Sequence, residues 1–194
     1  QTIRAMLLLS QAESGQLALQ RTPIDLAAIV ADLVDQFQIP AEEAHIELSC
    51  AVSGPAMVSA DRIQIERMVS NLLSNATKYT PREGRVQASV RTEAEQVVLS
   101  VADTGVGIPP EYLPHIFDRF YRVPGSSKEK QGLGLGLSFV AWIVKAHGGE
   151  IDVDSQLGQG TTFTVTLPAA STPERVVNQA QAAPGSPRSV PQQQ

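Results

Sequence analysis

The chain has 194 residues, 42% of them hydrophobic and 18% charged, with a formal net charge of -5. That is enough chain for one domain with a real core, and the acidic balance disfavours a nucleic-acid surface while leaving room for a phosphate-bearing ligand held by backbone donors and a few cations. The single cysteine, Cys50, excludes an internal disulfide framework, and the sequence contains neither a signal peptide nor an apolar run long enough to span a bilayer.

In chain order, residues 2–13 read as the end of a helix with Ile3, Met6, Leu7 and Leu9 on its apolar side, stopped by Ser14 and Gly15. With no initiator methionine before this helix-like start, the chain is expected to be a fragment whose natural beginning lies upstream. Leu17 to Leu19 reads as a short extended piece. Pro23 stands near a helix start, and Leu26, Ile29, Val30, Leu33, Val34 and Phe37 recur at helical spacing through residues 25–38, with Pro40 expected to end the run. Ile46 to Ser49 alternates weakly, as an edge strand does.

The spacing predicts a central helix over residues 62–79, capped by Asp61 with Gln64 three residues on. Val86 to Arg91 and Val97 to Ala102 predict two strands around the polar turn TEAEQ. Residues 103–135 are rich in Gly and Pro, a helix follows from Leu137 to about Ala146, and Glu150 to Asp154 and Thr162 to Leu167 predict a last strand pair around QLGQG. From about residue 169 the Pro, Ser, Ala and Gln content predicts a disordered tail, residues 169–194. The expected fold class is α+β: a two-layer α/β sandwich in which a mixed sheet carries helices on one face.

Three segments stand out chemically. In NLLSNATKYT, Asn71, Asn75 and Lys78 fall within roughly 60° of one another around the helix, beside a separate apolar stripe that includes Leu72, Leu73 and Ala76. Asparagine carbonyls are hard oxygen ligands suited to magnesium, Lys78 offers a point charge for phosphate, and Tyr79 lies where a planar base can stack. A solvated polar helix face would show the same residues. In DTGVG, Asp103 ends an apolar strand, where its carboxylate is able to accept from an exocyclic amine such as that of adenine. Gly105 and Gly107 permit close ligand approach. An ordinary Asp–Gly turn is the alternative.

In QGLGLGLS, Gly132, Gly134 and Gly136 precede a helix, and Leu133, Leu135 and Leu137 alternate with them. The spacing fits neither a Walker motif nor the dinucleotide fingerprint. Amides exposed at such a helix start receive phosphate, although the same glycines also suit a hinge. Before them, FDRFYR supplies Phe117 and Phe120 to anchor a lid and Arg122 to reach a transferring phosphoryl group, with Arg119 as a structural residue. A packed surface loop with solvated arginines is the plainer reading.

Taken together, these segments resemble the ATP-binding catalytic domain of bacterial sensor histidine kinases, a branch of the superfamily that includes gyrase-type, chaperone-type and mismatch-repair ATPases. The resemblance covers residues 24–168. NLLSNATKYT is similar to the asparagine box and DTGVGIP to the first glycine box. IFDRFYR resembles the phenylalanine box, QGLGLGLS the second glycine box and GQGTTF the closing strand motif. KYT and IFDRFYR favour the histidine-kinase branch.

The resemblance implies a Bergerat-type fold and ATP and Mg2+ as cofactors. It implies Asn75 as the main magnesium ligand with Asn71 assisting, Lys78 on phosphate, Tyr79 beside the base, Asp103 on the adenine amino group with Thr161 in support, and Arg122 in a mobile lid. Leu133 stands where many members carry a hydroxyl. LLLSQAESGQL resembles the end of the second helix of the dimerisation and phosphoacceptor domain, so residues 1–16 are assigned there and residues 17–23 to a linker.

His45, His115 and His147 lack the context of a phosphoacceptor and read as structural or surface residues. The implied partners are the phosphoacceptor domain of the same kinase, as a homodimer in full length, and a response regulator, with no nucleic acid. The implied location is the cytoplasmic part of an inner-membrane sensor. The fragment is expected to bind nucleotide without autophosphorylating alone. The alternatives are a catalytically inactive nucleotide-binding module and an ATPase of the wider superfamily.

Overall fold

The computed structural model describes residues 18–124 and 133–170. The expected helix over residues 2–13, the domain assignment of residues 1–16, Gly132 and nearly all of the expected tail lie outside the described residues. The chain runs β1 (Thr22–Asp25), α1 (Leu26–Glu43), β2 (Glu47–Val52), β3 (Met57–Ala60), α2 (Arg62–Tyr79), β4 (Arg85–Glu93), β5 (Gln96–Asp103), a short 3-10 helix (Pro110–His115), α3 (Gly136–Ala146), β6 (Glu150–Gln156) and β7 (Gly160–Pro168).

Five strands form one mixed sheet in the order β2-β4-β5-β7-β6. β2 pairs parallel with β4, and every other pairing in that sheet is antiparallel. The three helices pack against the sheet and against one another, with α2 contacting both α1 and α3. This is the expected two-layer α+β sandwich. Its core joins Ile29, Val30 and Val34 of α1, Ile65, Met68, Leu72 and Leu73 of α2, and Val140, Ile143 and Val144 of α3 to Val86, Leu99, Val101, Val165 and Leu167 of the sheet. Burying side chains of this size stabilises the fold by about 1.5–3 kcal/mol each. Among the described residues, no helix is long and apolar enough to cross a membrane.

Two local expectations are corrected. Pro40 does not end α1, which continues to Glu43. Proline removes one helical donor, but the turn beyond it is held by other means. Ala44 N–H donates to Pro40 O at 3.1 Å, Ile46 N–H to Ala41 O at 2.9 Å, and the Ala41 side chain is fully buried. Pro23, expected near a helix start, lies instead in β1, which pairs antiparallel with β3 in a separate two-stranded sheet. The helix begins at Leu26, where the Asp25 carboxylate caps it by accepting from Ala27 N–H at 3.0 Å and also from Ala56 N–H at 2.9 Å. One acidic side chain thus starts α1 and fastens the loop before β3 to it.

The Asp61 cap of α2 is present, with its carboxylate accepting from Gln64 N–H at 3.2 Å. The other carboxylate oxygen accepts from Gln20 N–H at 3.0 Å, and the neighbouring Arg21 guanidinium donates to the Ala146 carbonyl at the end of α3. His147 completes this junction. It is 5% exposed. Its Nδ1 donates to Ile143 O at 2.7 Å and its Nε2 accepts from Asp61 N–H at 3.0 Å. Both ring nitrogens are therefore used by a neutral imidazole.

Burial holds the His147 pKa below its ordinary 6.5. The Ile143 carbonyl opposes that shift, Arg21 adds to it, and Asp61 opposes it. Because the folded state resists protonation, the stability from this residue is complete above about pH 6.5 and is lost as pH falls from there toward the lowered folded value. Urea midpoints measured between pH 7.5 and 5.5 are expected to fall in the wild type. The fall is expected to be smaller in His147→Gln.

Candidate nucleotide-binding site

The last two turns of α2 carry the first wall of the site. Leu72, Leu73 and Ala76 face the core, which leaves Asn71, Asn75 and Lys78 on the adjoining side, part-exposed. The Asn71 amide donates from Nδ2 to Arg67 O at 2.9 Å. That bond commits the nitrogen and turns the carbonyl oxygen toward α3, where a Cβ built on Gly136 would lie 3.0 Å from Oδ1. Gly136 is therefore a close approach of the second glycine segment to the asparagine helix. Among the described residues, no hydrogen bond engages the Asn75 amide.

Lys78 places its Nζ 5.2 Å from the centre of the Tyr79 ring. Burial lowers the Lys78 pKa, and the positive charge of Arg122 lowers it further. Lys78 and Arg122, far apart in sequence, thus contribute to one positive region.

The DTGVG loop forms the second wall. Asp103 is the last residue of β5, in register with Val86 of β4 and Thr161 of β7. Its Oδ1 accepts from Gly105 N–H at 2.8 Å and Thr161 N–H at 3.3 Å. Among the described residues, no donor bonds Oδ2. Burial raises the Asp103 pKa above its ordinary 3.8, and the Gly105 and Thr161 amides pull it back only in part. A half-buried carboxylate with no bond to Oδ2 among the described residues is able to accept a hydrogen bond from a ligand donor there, and partial burial strengthens such a bond.

Both glycines of this loop are required by space. A Cβ at Gly105 would meet Asp103 Oδ1 at 2.5 Å and Tyr79 O at 2.7 Å. Gly107 has φ +68°, and a Cβ there would lie 2.1 Å from Gln156 O. Val106 N–H donates to Tyr79 O at 3.2 Å, so the loop is tied to the end of α2.

Phe117 acts as an anchor, meeting Phe163 edge-on at 6.4 Å between ring centres. Phe120 does not. It is 53% exposed with φ 61°, and its amide donates to Gly134 O at 2.9 Å. Its contribution is the backbone contact that positions the second glycine segment. In that segment Leu133 is exposed, Leu135 is buried, and Leu137 packs against the core. The structure therefore brings Asn71 beside Gly136, Lys78 toward Arg122, and Asp103 beside Thr161.

Ser155 was missed from sequence. It is the register partner of Thr161, and its Oγ accepts from Ile108 N–H at 2.8 Å and lies 2.8 Å from Thr161 Oγ1. A serine two residues beyond Val153 on an inward-alternating strand was the available signal, but its partner appears only once the strands are paired.

Residues 60–171 match the family described as histidine kinase-, DNA gyrase B-, and HSP90-like ATPase. This chain belongs to that family. Among curated proteins, it is 39% identical over 175 residues to the sensor histidine kinase RppB of Synechocystis sp., an alignment covering 89% of this chain and 38% of RppB. Among solved structures, it resembles the mycobacterial sensor histidine kinase MprB with a TM-score of 0.70 and 30% identity, covering 78% of this chain and all of that one. It also resembles full-length ShkA in complex with AMPPNP, with a TM-score of 0.77 and 29% identity, covering 88% of this chain and 35% of ShkA. Within the family, the chain is the catalytic ATP-binding domain of a sensor histidine kinase. It spans little more than a third of the length of the first curated relatives it matches.

Proposed function

We propose that residues 24–168 bind ATP with magnesium and transfer its γ-phosphoryl group to a histidine on a phosphoacceptor domain, for onward transfer to a response regulator. Residues 1–16 are the end of that phosphoacceptor domain, and residues 17–23 link the two. The full-length kinase works as a homodimer with its catalytic part on the cytoplasmic face of the inner membrane. The observation that carries the reading is the open Oδ2 of Asp103 on one wall, with the Asn71 carbonyl, Lys78 and Arg122 on the other.

Asp103 Oδ2 accepts the adenine amino group, Thr161 supports that contact, and Tyr79 lies beside the base. Lys78, Arg122 and the amides from Gly134 to Leu137 orient the phosphate chain. The amide oxygens of Asn75 and Asn71 fit magnesium, which prefers hard oxygen donors and keeps several waters. Among the described residues, no cluster of three His, Cys, Asp or Glu offers an alternative metal cage. When bound, the ion neutralises phosphate charge.

Incubation with labelled ATP, magnesium and a matching phosphoacceptor domain tests the proposal. Acid-labile, base-stable label on the acceptor histidine is the expected result. Nucleotide binding without transfer would identify an inactive binding module. Phosphate release by the chain alone would identify an ATPase of the wider family.

A further inference from the structure

Ser155 has one hydroxyl proton and two lone pairs. Three neighbours draw on them: Ile108 N–H at 2.8 Å, Gly160 O at 3.0 Å and Thr161 Oγ1 at 2.8 Å. The amide of Ile108 only donates, and the carbonyl of Gly160 only accepts. The Ser155 proton therefore goes to Gly160, and both lone pairs accept, one from Ile108 and the other from the Thr161 hydroxyl. Thr161 has then spent its only proton inward, so its oxygen can act toward a ligand only as an acceptor. Beside it, the open oxygen of Asp103 is also an acceptor.

We propose that Ser155 is a positioning residue for nucleobase selection. By holding the Thr161 proton it keeps the part of the wall that meets the purine 6-position acceptor-only, which accepts from a 6-amino group and repels a 6-oxo oxygen. Its bond to Ile108 adds a mechanical part, because it fastens the loop beyond Asp103 to the β6–β7 hairpin. Gly158 N–H donates to Val106 O at 2.8 Å in the same seam. Removing the Ser155 hydroxyl frees the Thr161 proton to rotate toward the ligand, where it satisfies a 6-oxo group.

This inference rests on Asp103 contacting the base, and the test separates the two. Dissociation constants for ATP and inosine triphosphate are measured for the wild type, Ser155→Ala, Ser155→Thr, Thr161→Val and the Ser155→Ala/Thr161→Val pair, with urea denaturation confirming that each is folded. Ser155→Ala is expected to narrow the preference for ATP by about tenfold, with Ser155→Thr restoring it. The double variant should match Thr161→Val alone. An unchanged ratio in folded Ser155→Ala, or equal weakening of both nucleotides, would overturn the proposal. Failure of the wild type to bind either nucleotide would instead overturn the nucleotide-binding reading on which it depends.

Discussion

Asp103→Asn is expected to weaken ATP binding by roughly 30- to 150-fold, about 2–3 kcal/mol for a hydrogen bond to a charged group. Asparagine is the informative replacement because it retains an oxygen that can accept from Gly105 and Thr161 N–H, the two bonds that shape the loop. What it changes is the second oxygen, which becomes an amide donor facing the ligand amine. The urea midpoint of this variant should stay close to wild type while calorimetric ATP affinity collapses. Undiminished affinity would remove Asp103 from the site.

The raised pKa of Asp103 adds a pH signature. Burial makes the ionised form harder to hold, yet only that form accepts with full strength. ATP affinity should therefore decline on acidification above the ordinary aspartate value of 3.8. The same shift has the opposite sign for folding. Because the folded state takes up the proton more readily than the unfolded chain, protonation between 3.8 and the raised value favours the fold. Binding and stability should diverge in that window.

Asn75→Ala should lower the rate of phosphoryl transfer to the acceptor domain by about 100-fold or more, the scale seen when a charge-stabilising contact in a phosphoryl or acyl transfer site is lost. The neighbours Leu72, Leu73 and Ala76 are buried, whereas Asn75 is only partly so. Alanine is also the better helix former by about half a kcal/mol. The variant should consequently unfold at a slightly higher urea concentration while transferring more slowly. Loss of activity accompanied by loss of stability would show that Asn75 supports the fold. Loss of activity with a small gain in stability is what a ligand-facing residue gives. Titrating magnesium at fixed ATP should move the half-saturation point upward in the variant.

How much of this was legible in sequence varied with the range of the interaction. The bounds of α2 followed from local signals, an Asp61 cap and an apolar stripe, and the helix spans Arg62–Tyr79 as expected. The glycine segments were legible because their spacing is contiguous. β1 and β3 were not, since each has four residues, one contains Pro23, and neither alternates clearly; they exist because they pair across more than thirty intervening residues. Pro40 misled because its cost is local and its compensation is not. The partner of Ser155 was hidden because it arrives from β7, as was the allocation of Asp103's two oxygens, which depends on where Thr161 comes to lie.

The bond from Arg21 to the end of α3 has an electrostatic consequence. The peptide dipoles of α3 leave its carboxyl end partly negative and its amino end partly positive. The guanidinium of Arg21 sits at the negative end, on the Ala146 carbonyl. The positive end begins at Gly136, facing the Asn71 oxygen. Eleven residues of helix, about 16 Å, separate them. The residue just before β1 thus neutralises one pole of α3, leaving the other to act on whatever lies between the glycine segment and the asparagine helix.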